Sequence, residues 1–178
     1  MGWSLRLFAT GDNAGDLGAA FDASPNAYVL LRPADLTIVA ANQAYLDAVS
    51  VTRDQIVGKP MFESFDSGSG SDAPENVRQV RTSLERARDL RQRDHLAAVR
   101  FSLLRPGADG RPVYEERLWS ATHTPVLNRD GEVVLLLQHT TDVTDLEAAR
   151  DETNGHPGPS RTAVGGQVLK RAQQVQES

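Results

Sequence analysis

The sequence predicts an α+β domain with five strands in an antiparallel sheet. Three observations carry that prediction. Two short apolar segments near the start and three longer ones further on have strand character, and helical patterns fill the interval between them. Turn residues join the strands within each group: Arg32-Pro33-Ala34-Asp35 in the first, Asn128-Arg129-Asp130-Gly131 in the second. Strands grouped in this way, instead of alternating with helices, imply antiparallel pairing and not a doubly wound sheet. The 178 residues suffice for one domain with a real core and terminal extensions.

The elements follow in order. Gly11, Asp12, Asn13 and Gly15 make residues 1–15 a breaker-rich lead, in which Trp3, Leu5, Leu7 and Phe8 can dock as a short element. A short helix is expected over Asp16–Ala23, ended by Ser24-Pro25-Asn26. Ala27–Leu31 and Leu36–Ala40 are the first two strands, and Asn42–Val49 a short helix. Thr52 and Gln55 have capping-box spacing, and Gly58-Lys59-Pro60 stops that turn. Met61–Phe65 is a small apolar piece and Asp66–Ser71 a Gly/Ser loop.

Asp72, Pro74 and Glu75 then start a helix from Ala73 to about Arg93, whose buried stripe is Val77, Val80, Leu84, Ala87 and Leu90. Its charged opposite face reads as solvated, not as a phosphate-binding surface. Strands are expected over Leu96–Leu104, Val113–Val126 and Glu132–Thr140, with Pro106–Gly110 as the first turn. Helix resumes at Asp142, where Thr144 and Glu147 are spaced as a second capping box. Asp151–Gly166 is a linker, and Val164, Val168, Ala172 and Val175 share a face of a last helix that stops before several heptads form.

Composition excludes several classes. A net charge of −5 with interspersed signs provides no cationic surface for nucleic acid. The absence of cysteine removes disulfides, thiolate metal sites and any cysteinyl nucleophile or adduct. No run approaches the roughly 20 apolar residues of a bilayer span, and Met1–Phe8 has no signal-peptide core, so no membrane association and a cytoplasmic location are expected. There is no His-Glu-x-x-His, phosphate loop or Gly-x-Ser-x-Gly elbow, and Glu115 and Glu116, adjacent on a strand, cannot share a proton. No enzyme is expected.

Four stretches carry a family resemblance. Ser24-Pro25-Asn26-Ala27 precedes an apolar strand; Ile38–Leu46 contains Asn42-Gln43-Ala44-Tyr45; Asp54–Pro60 holds a Gly-Lys turn; and Asp130-Gly131 leads through a strand to Asp142-Val143-Thr144. In this order they resemble the PAS sensor family over roughly Asp16–Arg150. One departure is Ser50, where the family often has Gly. The resemblance implies a sheet in the order 2-1-5-4-3, short helices closing a small-molecule pocket on one face, and flanking helices or a second subunit on the other. It also divides the chain into an extension and flanking helix (1–23), the PAS domain (24–144), an outgoing helix and linker (145–163) and the start of a signalling helix (164–178).

Candidate residues follow from alternation and resemblance together. Leu136, Gln138 and Thr140 share one face of the last strand with Val134, while Val133, Leu135, Leu137 and His139 share the other. The resemblance turns Thr140 toward the pocket, so Gln138 and Thr140, with Asn42 and Tyr45, are the candidate ligand contacts. Asp142 and Thr144 are the expected relay from sheet to helix. His139 and Trp119, placed on the outer face, are candidate interface residues, with simple core packing as the other reading of Trp119. The ligand and cofactor are not identified. His95 lies near where some haem-binding relatives place their ligand, but His95 and His123 come with no further haem signature, and haem is not expected. Light-sensing flavin relatives carry an Asn-Cys-Arg motif and a Gln at the place of Thr140, so flavin is not expected either. The expected partners are a second copy of the chain and a separate or missing output domain. The alternative is a ligand-free module for dimerisation.

Overall fold

The computed structural model describes residues 14–64, 73–106 and 111–153. Helix α1 (Ala14–Asp22) leads into β1 (Ala27–Leu31) and β2 (Ile38–Ala41). Four helices follow: α2 (Gln43–Val49), α3 (Arg53–Ile56), α4 (Met61–Ser64) and α5 (Ala73–Leu90). The long strands β3 (Asp94–Pro106), β4 (Pro112–Leu127) and β5 (Val133–Asp142) then precede α6 (Thr144–Thr153). The sheet is antiparallel throughout, in the order β2-β1-β5-β4-β3. The described residues form two units that part between Thr144 and Asp145.

Local chemistry accounts for the helical connections. Arg32 and Asp35 close the β1–β2 turn with an ion pair at 2.9 Å, and Asp35 also accepts from Thr37 N. Gln55 Oε1 accepts from Thr52 N at 2.7 Å, capping α3 as its spacing predicts. Gly58 then takes a φ of +87°, which returns the chain to β2: Gly58 N donates to Ile38 O, and Ile38 N to Lys59 O. Lys59 and Met61 are thereby held over the sheet.

The core fills the space between one sheet face and α2–α5. Val29, Leu31, Ile38, Ile56, Leu84 and Leu136 are fully buried there. Fully burying one such side chain contributes about 1.5–3 kcal/mol.

Several boundaries differ from expectation. The second strand starts at Ile38, because Leu36 adopts a φ of +57° inside the turn. Helix α5 ends at Leu90, not Arg93, since Arg91 has a φ of +52°, and Leu90 is 65% exposed where burial was expected. Ser83 is buried beside Leu84 in its place. Strands β3 and β4 run longer than their apolar residues suggest, because each ladder partner supplies the other's hydrogen bonds from Asp94↔His123 to Pro106↔Pro112. At a register shift between Val126 and Leu127, Val133 packs partly buried against the core, breaking the expected alternation. The expectations for residues 1–13, the Gly/Ser loop, the Asp72 cap, the turn at 107–110 and the last helix lie outside the described residues. Among the described residues, no helix is long and apolar enough to cross a membrane.

Candidate functional site

A cavity of about 470 Å³ lies between the sheet and helices α2–α5. Its walls are largely apolar: Val80 from α5, Val99, Phe101 and Leu103 from β3, Ala121 from β4. Polar groups enter from opposite sides, with Tyr45, Gln55 and Lys59 on the helical side and Gln138 and Thr140 on β5. Among the described residues that line it, Lys59 carries the only formal charge. This size and mixture suit a small, mostly apolar molecule oriented by a few polar contacts.

Three of the four expected ligand residues line this cavity. Gln138 and Thr140 are 4% and 8% exposed, on the face that parity predicts. Tyr45 is also in the wall, and burial pushes its phenol well above the ordinary value. Asn42 is not in the wall. Its side chain is fully buried and spent on backbone: Oδ1 accepts from Tyr28 N at 2.9 Å and Tyr45 N at 3.0 Å. Its Nδ2 donates to Asn26 O at 2.8 Å, to Phe21 O and to Ser24 O. Asn42 is a clamp joining α1, β1 and α2.

Trp119 requires a correction as well. It does not face outward: it pairs with Val99 on β3 and lines the cavity, 6% exposed. Directly paired residues point the same way, and Ala121↔Thr140 and His123↔Gln138 set the parity of β4. The mixed composition of both β4 faces hides that parity from the sequence. The indole Nε1 of Trp119 is buried and has no hydrogen-bond partner among the described residues. His139 does lie on the outer face, its ring 5.2 Å from that of Tyr28, which in turn stacks on Phe21 of α1.

Behind the cavity runs a polar chain that sequence reasoning did not find. Asp94, ion-paired to Arg86 at 2.8 Å, accepts from the Ser83 hydroxyl. Ser83 Oγ lies 2.6 Å from His123 Nδ1, and His123 Nε2 lies 3.1 Å from the Gln138 amide. Gln138 contacts Thr140 Oγ1 at 2.9 Å. Burial works to raise the Asp94 carboxyl, but the bonds from Ser83 and Arg86 hold it below its ordinary value. Burial pushes His123 down to about 4, against the Gln138 bond and the Asp94 charge. The one legible signal was a histidine two residues from Ala121 on the same face. Its partners on α5 and β3 are remote in sequence.

At the end of β5, Asp142 Oδ1 accepts from both the backbone N and the hydroxyl of Thr144. Thr144 Oγ1 accepts from Leu118 N at 2.8 Å, and Val143 N donates to Leu118 O. Arg117 donates to Asp142 at 3.1 Å. The expected Thr144–Glu147 box gives way to this arrangement: the Thr144 hydroxyl is taken by β4, and the Glu147 carboxylate by Arg150.

The comparisons with known proteins agree with this architecture. A family model described as the PAS fold matches residues 21–148. Over 120 residues the chain is 32% identical to a blue-light-activated histidine kinase 1 of Erythrobacter litoralis, covering 65% of this chain and 28% of that protein. The chain thus spans less than a third of that relative. The structure of an RNA-binding Light-Oxygen-Voltage receptor aligns with a TM-score of 0.56 at 19% identity, over 84% of this chain and 38% of the other. The PAS domain of BvgS from Bordetella pertussis aligns with a TM-score of 0.52 at 21% identity, over 82% and 99%. At such identities these two structures share the fold.

Proposed function

The chain belongs to the PAS fold family, and from that premise we propose that it is a sensory module which binds a small ligand and does not catalyse a reaction. The observation that carries this reading is the cavity, whose β5 wall is formed by Gln138 and Thr140. These residues stand four and two positions before Asp142. A ligand that shifts Thr140 therefore pulls on a strand end tied through Thr144 and Val143 to the backbone of β4. The relay runs from that junction into α6 and onward to an output partner. Because the chain has no cysteine, light-driven thiol adduct chemistry is outside its repertoire. A second copy of the chain docks on the outer face that carries His139.

Two measurements test the proposal. Native mass spectrometry of the purified protein is expected to show a small molecule that leaves on denaturation. A dimer free of any adduct would favour a ligand-free dimerisation module instead. Asp142→Ala is expected to speed amide exchange in residues 145–150 while leaving β1 protected. Unchanged exchange there would end the relay.

A further inference from the structure

The direction of the buried polar chain restricts what the cavity can take. This inference rests on reading the cavity as a small-ligand site. Asp94, ionised beside Arg86, can only accept, so the single Ser83 proton is spent on it. Ser83 Oγ can then only accept from His123 Nδ1–H across their 2.6 Å contact. The state of His123 Nε2 depends on which end of the Gln138 amide faces it.

A half-turn of that amide exchanges its oxygen and nitrogen at His123 and Thr140 and moves nothing else. With Oε1 on His123, as in the structure, both ring nitrogens must donate and the ring is a cation with no exposed surface. With the amide nitrogen on His123, the ring is neutral and every contact in the chain has one donor and one acceptor. Burial, which disfavours the cation, selects the second arrangement at neutral pH. The groups facing His123 are Ser83 from α5, Asp94 and His95 from β3, and Gln138 from β5. Their balance leaves the ring uncharged.

The consequence reaches the cavity. Gln138 Oε1 then takes the Thr140 proton, and the Thr140 hydroxyl, with no other hydrogen bond among the described residues, turns only lone pairs to the ligand. We propose that the Asp94–Ser83–His123–Gln138 chain fixes Thr140 as an acceptor, so that the ligand group seated against Thr140 is an N–H or O–H donor and a molecule offering an acceptor there is disfavoured.

The test needs no natural ligand. Indole and benzofuran have nearly the same shape and differ in a ring N–H against a ring oxygen. Titrated into the full chain at pH 7, indole is expected to bind about tenfold tighter, the worth of one buried hydrogen bond. Thr140→Val, which keeps the shape and removes the acceptor, is expected to abolish that preference. Equal binding, or tighter benzofuran, overturns the inference and leaves the small-ligand reading intact. Binding of neither probe overturns both. Long-range proton–nitrogen correlation on the labelled wild-type protein reads the chain directly. A proton on His123 Nδ1 alone supports the proposed direction, and a proton on Nε2 overturns it.

Discussion

The side chain of Asn42 shows how a motif residue can be essential without meeting a ligand. Asparagine, unlike aspartate, offers an acceptor and a donor at once, and this position uses both: two backbone amides on Oδ1, three carbonyls around Nδ2. With the residue fully buried, no water replaces those bonds. Asn42→Ala is expected to destabilise the fold by about 2–4 kcal/mol in urea titration. The protein that remains folded should keep its indole affinity within twofold. A large affinity loss would return Asn42 to the binding site. Asn42→Asp, which keeps the N-cap acceptor, should cost less than Asn42→Ala.

At the scale of the element, helix termination shows which sequence signals suffice. Helix α2 ends at Ser50 with φ +58° and ψ +45°, while Val51 N reaches back to Leu46 O at 3.1 Å. That is the geometry in which glycine is favoured, since a side chain in the left-handed region costs roughly 1–2 kcal/mol. The departure from the family resemblance at Ser50 is therefore a strained turn. Ser50→Gly is expected to raise stability by about 0.5–1 kcal/mol, the added freedom of the unfolded glycine offsetting part of the gain. A fall in the unfolding midpoint would mean that the Ser50 side chain, which lies in the cavity wall, has work there that outweighs the strain. Helix α5 shows the opposite case. Its apolar spacing announced Val80, Leu84 and Ala87, but not that Arg91 would turn left-handed and leave Leu90 in water. Periodicity reports a face and carries no information on where the neighbouring strand begins.

At the scale of the whole molecule, His123 couples stability to pH. The unfolded chain takes up a proton at this residue near pH 6.5, whereas the folded chain resists it until about 4. The unfolded state thus binds more protons within that window, and stability falls as pH drops from 6.5 to 4, by up to about 3 kcal/mol. The lowered carboxyls of Asp94, Asp35 and Glu75 add to this loss only toward the acid end of that range and below it, as they are protonated. Urea midpoints between pH 7 and 4 should show the slope, and His123→Gln should flatten it. Identical slopes in the two proteins would mean that His123 does not carry the effect.

Strand count, antiparallel class, the helix cap at Thr52 and the separation of the two faces of β5 were all determined by the sequence, because each depends on residues within a few positions of one another. Turn chemistry and period-two alternation act locally, and the chain spells them out. Tertiary structure decided the rest: that Trp119 looks inward, that Asn42 clamps backbone, and that Ser83, Asp94 and His123 form one chain behind Thr140. These depend on register between segments up to 40 residues apart, where sliding a strand by one residue exchanges its faces. Local sequence holds no record of that register, so only the packed molecule reveals it.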